Sequence, residues 1–205
     1  MQFLDADDLL LPTKLEKCLH RFAEQPVLGV VYTDYDLRSP DLSASVPVER
    51  PGTMPEGQVL AALFQRTASF FNPACPLIRR EAVEAIGFFD ERLRAVEDWQ
   101  YWVRLAAGGF PFGYVPERLV WYRDTPQSMS KDPLRMATAR LMAVEGLRGV
   151  PLPPEIDLPG KIADRHHALA MVLWEQGDRR SARQHLAQAR VCIPRAAGAV
   201  ACSVR

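Results

Sequence analysis

Residues 87–109 read GFFDERLRAVEDWQYWVRLAAGG, a helix stop, a helix start and an acidic pair in one line. Gly87 suits the end of a helix, because glycine takes the left-handed conformation that closes helices without a side-chain clash. Glu97 and Asp98 suit the start of the next, where carboxylates meet unpaired N–H groups at the positive end of the helix; this stabilises by ~0.3–1 kcal/mol and is by itself a sufficient structural reason for the pair. The pattern therefore predicts one helix over 80–86 and another over 97–107.

Upstream of this stretch the same alternation continues. A short strand near 75–78, a helix over 58–66 and a strand over 27–32 are expected, preceded by a helix over 12–24 with Pro12 in its first turn and Leu15, Leu19 and Phe22 turned inward. Phe3-Leu4 reads as the end of a buried strand feeding an acidic loop. Between 37 and 57 proline and serine replace periodicity, which argues for an irregular surface loop of the kind that carries specificity. Downstream, 114–115 and 119–122 read as short strands. Helices and strands in this order build a layered α/β sheet.

Pro151, Pro153, Pro154 and Pro159 mark 149–160 as a linker, closing a domain over 1–148. Residues 161–205 then form a helical hairpin: Ile162, His166, Leu169 and Leu173 share one face, Gly177-Asp178 turns the chain, and Ala182, Leu186, Ala189 and Ile193 share the next face. The stretch HHALAMVLWEQGDRRSARQHLAQA (166–189) resembles a single tetratricopeptide-type hairpin. One copy cannot build a binding groove, so it is expected to pack on the rest of the chain, on a second protomer of a homo-oligomer or on a protein partner. His166 and His167, being adjacent, point to different faces and read as packing or surface residues.

Bulk properties narrow the function classes. In 205 residues, 48% hydrophobic, 25 Lys and Arg stand against 25 Asp and Glu. That balance leaves no electrostatic footprint for nucleic acid. Four cysteines, Cys18, Cys75, Cys192 and Cys202, form no CxxC pair or zinc-ligand spacing, which points to a reducing compartment. No apolar run approaches the ~20 residues of a spanning helix, and no basic-then-apolar leader opens the chain, so a cytoplasmic location, at most peripheral at the inner membrane face, is expected.

The acidic loop DADD (5–8) carries the second candidate chemistry. Carboxylates this close repel unless solvent, helix N–H groups or a cation offset them. A bland reading makes Asp8 the cap of the next helix. A calcium EF-hand starting at Asp5 fails, because Leu9 and Leu10 occupy the ligand and glycine positions. A phosphatase with an aspartyl nucleophile is weakened by Leu9, where a small hydroxyl residue usually stands. A divalent cation site for a phosphorylated ligand remains.

Four blocks, FLDADDLLLPTKLEKCLHRF (3–22), VVYTDY (30–35), GFFDERLRAVEDWQYWVRLA (87–106) and VPERLVWYR (115–123), occur in an order and approximate spacing that resembles family-2 glycosyltransferases. Over 3–123 the resemblance implies part of a GT-A fold, a mixed α/β sheet, here followed by the α-helical hairpin. It implies an inverting transfer from a nucleotide-diphospho-sugar to a hydroxyl of a glycan, a lipid-linked sugar or a protein, in the synthesis of surface polysaccharide, glycolipid or glycoprotein. It implies that Asp7 ligates Mg²⁺ or Mn²⁺ directly, with Asp5 as a ribose or water-mediated contact, and that Asp98 is the base with Glu97 as helper or structural neighbour. Trp102, one turn after Asp98, is expected in an acceptor pocket or in the core, and Arg123 against the diphosphate or in a surface salt bridge. One departure stands out: Asp124-Thr125 follow the Tyr122-Arg123 pair, where family members often carry a histidine. The family's opening strand and helix units are expected before Phe3, which implies an N-terminally truncated domain with weak activity and poor solubility. A non-catalytic remnant or interaction module is the alternative function.

Overall fold

The uninterrupted apolar run Val30, Val31, Tyr32 suits a strand covered on both faces. In the computed structural model, which describes residues 1–46, 54–66, 69–126 and 128–192, it begins the central strand of the sheet. The strands are β1 (Leu9–Leu10), β2 (Val30–Arg38), β3 (Ser45–Val46), β4 (Pro76–Ile78) and β5 (Phe112–Arg123). The helices are α1 (Lys14–Glu24), α2 (Leu60–Arg66), α3 (Arg80–Ile86), α4 (Glu97–Ala107), α5 (Pro133–Glu145), α6 (Leu158–Glu175) and α7 (Arg179–Cys192). Strand β2 runs parallel to β5 and antiparallel to β3 and β4, while β1 pairs antiparallel with β5. The sheet is thus mixed, in an α/β architecture, as the sequence predicts.

Side-chain alternation along β2 divides the core. Val30 and Tyr32 enter the larger cluster with Trp99, Trp102 and Phe112, while Val31 joins Cys18, Phe22, Leu28 and Leu119 under α1. Helices α3 and α4 have the bounds the sequence predicts, and Gly87 closes α3 with φ at 80° and its N–H on Val83 O. Arg104 donates to the carbonyls of Ile86 and Phe88, tying the end of α3 to α4.

Other elements depart from the expectation. Phe3-Leu4 forms no strand; only Gln2 bridges to Leu77, and the strand pairing begins after the acidic loop, at β1. Helix α1 starts at Lys14, not at Pro12, and turns Lys14, Cys18 and Phe22 inward, whereas Leu15 and Leu19 are 44% and 60% exposed. Strand β2 runs on to Arg38 and pairs with β3, so the start of the expected loop 37–57 is sheet; residues 47–53 of that loop lie outside the described residues. The two strands expected at 114–115 and 119–122 are one strand with a shifted register: Thr33 pairs with Val115, Asp34 with Arg118 and Tyr35 with Val120. Pro116, which lacks an N–H, sits in the skipped segment.

Helix α5 was not signalled by the sequence. The expected linker 149–160 is packed chain: Val150, Leu152, Ile156 and Leu158 lie against the larger cluster, and α6 begins at Leu158 with Asp157 accepting from Gly160 N. Helices α6 and α7 form the hairpin with Gly177 at φ 85°, and Ile162, Leu169, Leu173 and Ala182 join that same cluster. Ile193 and Cys202 lie outside the described residues. His166 is buried and meets His185 of α7, Nδ1 to Nδ1 at 2.9 Å, while His167 is exposed. Among the described residues no helix is long and apolar enough to cross a membrane.

Candidate active site

Asp98 lies in the first turn of α4, where the helix N-terminus is anchored from two directions. The Trp99 indole N–H donates to Leu63 O at 2.9 Å, pinning α4 to α2, and Ser69 Oγ donates to Asp98 Oδ2 at 3.0 Å. Val96, just before the helix, has φ at 63°, a left-handed conformation in which a β-branched residue is strained. The half-buried Asp98 carboxyl lines a cleft of about 230 Å³ with Tyr35, Ser69, Asn72, Tyr122 and Arg140. Desolvation, with help from the neighbouring Glu97 charge, raises its pKa to about 6 against the hydrogen bonds from the Trp99 backbone and Ser69.

The acidic loop approaches through β5. Asp8 is 4% exposed; its Oδ1 accepts the Arg123 backbone N–H at 3.1 Å, and its Oδ2 is buried without a partner. The expectation that Asp8 caps α1 is therefore replaced: the N-cap is Thr13, and Asp8 fastens the loop to β5. Burial, aided by Asp5 and Asp7, lifts Asp8 to about 6. Burial and the Asp7 charge also raise Asp5, although Asp5 and Asp7 both stay exposed. The Arg123 guanidinium donates to Asp7 O at 3.0 Å and to Pro40 O, so it holds the backbone of the loop instead of standing in a surface salt bridge.

Tyr122 connects the two carboxylate groups. It lines the Asp98 cleft, and its hydroxyl pKa is raised first by burial and next by the charge of Asp8, with a smaller contribution from Asp5. Glu97 Oε2 is buried without a hydrogen-bond partner beside Asp98. Trp102 is the member of the expected site that the fold moves away: it is 0% exposed, packed against Phe71, Phe89 and Tyr101, because that face of α4 turns to the core. Ser69, Asn72 and Arg140 come to the cleft without any motif of their own, whereas Tyr35 closes the VVYTDY block. Tyr122 had a signal, its place beside Arg123 in the last block.

The family model described as "Glycosyltransferase like family 2" matches residues 1–139, two thirds of the chain and every residue of the acidic loop and of the Asp98 helix. The chain belongs to this family. No curated protein matches the chain. Among solved structures it is similar to S. aureus TarS residues 1–349, crystallised in complex with UDP, at 13% identity and a TM-score of 0.48, covering 84% of this chain and 45% of that one. The chain thus spans less than half the length of that structure.

Proposed function

We propose that the chain works as an inverting glycosyltransferase of GT-A type, taking a sugar from a nucleotide-diphospho-sugar and joining it to an acceptor hydroxyl, with Asp98 as the base. The observation that carries this reading is the Asp98 carboxylate itself, set at a cleft wall, oriented by Ser69 and raised to about 6 by desolvation. A base with that pKa is ionised at neutral pH yet basic enough to accept a proton as it leaves. The acceptor oxygen gives its proton to Asp98 and bonds to the anomeric carbon while the bond from that carbon to the diphosphate oxygen breaks on the opposite face, which inverts the configuration. Glu97, unpaired and adjacent, raises the basicity of Asp98 through its charge.

The acidic loop suits a hard cation such as Mg²⁺ or Mn²⁺. Asp5 and Asp7 offer exposed carboxylates, burial and, after it, repulsion among the loop carboxylates raise Asp5 and Asp8, and Mg²⁺ needs only one or two carboxylates when substrate phosphates complete its shell. Asp7 and Asp5 would hold it, and its charge would offset that of the departing nucleoside diphosphate. Arg123, by fixing the Asp7 and Pro40 carbonyls, keeps the loop in place, and Asp8 secures it from beneath.

The test is Asp98→Asn in an active preparation of the enzyme, compared with wild type for turnover and for nucleoside diphosphate affinity. Turnover is expected to fall at least ~100-fold with affinity unchanged. In the wild type kcat/KM is expected to rise with pH and to level off above about 6, since only ionised Asp98 accepts the proton. Full turnover in the variant removes Asp98 from this role.

A further inference from the structure

Helices α5 and α6 enclose a second cavity, of about 220 Å³, whose lining includes Lys131, Met136, Arg140 and Arg165. It adjoins the Asp98 cleft, because Met136 and Arg140 line both. The charges are unevenly answered. Lys131 is paired with Asp124 at 2.7 Å, but neither Arg140 nor Arg165 has a hydrogen bond or ion pair among the described residues. Arg165 Nε is buried with no acceptor. Burial and, after it, the Arg140 charge lower the Arg165 pKa against the opposing pull of its neighbour Asp164.

Long arginine side chains often cover apolar surface with their stems while their heads stay in water. That reading does not account for a buried Nε without an acceptor, nor for two guanidinium groups that share one cavity and repel each other. A buried donor left unpaired is unfavourable, and guanidinium geometry matches phosphate or carboxylate oxygens in pairs. An anion bound between the two arginines satisfies both requirements.

We infer that Arg140 and Arg165 bind an oxyanion carried by the acceptor substrate, a phosphate or a carboxylate borne by the glycan or lipid-linked sugar. The assignment to the acceptor rests on Asp98 being the base, since the hydroxyl that gives its proton to Asp98 belongs to the acceptor and the cavity shares two wall residues with the Asp98 cleft. The donor's diphosphate belongs at the acidic loop in the same reading. The acceptor is therefore held by its charge in one cavity and deprotonated in the next.

The experiment is calorimetric titration of the whole chain with inorganic phosphate and, separately, with acetate, for wild type, Arg140→Gln, Arg165→Gln and the double variant. Saturable binding of one anion is expected, weakened about tenfold or more by each single change and lost in the double variant. Preference for phosphate identifies a phosphorylated acceptor, and preference for acetate an acidic sugar. Arg140→Lys keeps the charge without the fork and retains weakened binding, which gives a readout should the glutamine variants fail to fold. Affinity for a nucleoside diphosphate with Mg²⁺ stays within about twofold in all of them. No saturable binding by wild type overturns the inference, and so does a double variant that loses the nucleoside diphosphate as severely as it loses phosphate. Anion binding in Asp98→Asn separates the two claims: retained turnover there removes the base but leaves the oxyanion cavity, whereas arginine-independent phosphate binding removes the cavity alone.

Discussion

Asp8 and Asp98 are carboxyls held above their ordinary range in a protein with enough cations to neutralise them elsewhere, and each is raised first by desolvation. For Asp8 the pairing is incomplete in a specific way: one oxygen has the Arg123 amide and the other has nothing. A pKa of about 6 in the folded chain against 3.8 in the unfolded one means that, across that window, the folded state binds more protons. Stability linked to Asp8 is therefore fully present below pH 3.8 and is lost as pH rises through about 6. Asp8→Asn keeps an oxygen for the Arg123 amide and removes the charge. It is expected to raise unfolding free energy at pH 7.5 by about 1–3 kcal/mol and to change it little at pH 4, measured by urea titration at both values. A gain that grows as the pH falls would reverse the sign and refute the account. The same substitution is expected to loosen the cation site, because the neutral side chain no longer adds to the field of the loop.

Helix α1 illustrates how far elements could be read from residue pattern alone. Its existence was legible, but its orientation was not, because Leu15 and Leu19 outrank Lys14 and Cys18 on any apolar count. The fold nevertheless buries Lys14, whose ammonium donates to Gln2 Oε1 and whose pKa burial lowers, and leaves the leucines out. Phe22→Ala is expected to cost about 3–5 kcal/mol, since Phe22 closes the small cluster with Cys18 and Leu28, while Leu19→Ser changes stability by no more than about 0.5 kcal/mol. Equal losses in denaturant midpoints would restore the leucine-inward helix. Helices α3 and α4 are legible to the residue because glycine and acidic residues punctuate them locally. The sequence pattern breaks strand β5 into two short runs, because the register shift around Pro116 that joins them depends on β2, far away in sequence. The candidate site divides along the same line. Asp5, Asp7 and Asp98 stand in local motifs, whereas Ser69 and Arg140 reach the cleft only through tertiary packing, and Trp102 is withdrawn from it by the same packing.

At the scale of the molecule, the question is whether the hairpin α6–α7 is an appendage or part of the body that carries the site. Ile162 is 0% exposed and belongs to the cluster that includes Trp99 and Trp102, and the proline-rich segment before it contributes Val150, Leu152 and Ile156 to the same cluster. The cavity assigned to the acceptor anion lies between α5 and α6, so its Arg165 depends on where α6 packs. A shared core makes unfolding cooperative, because neither part can expose its apolar face without the other losing its cover. Calorimetry of the chain is therefore expected to give a single endotherm. Ile162→Ala should lower that one transition by about 2–5 kcal/mol at its midpoint and weaken phosphate binding with it, although Ile162 is not among the residues lining the anion cavity. Two endotherms, with only the smaller one responding to Ile162→Ala, would show that the hairpin folds independently and that α6 is not a fixed wall of the site.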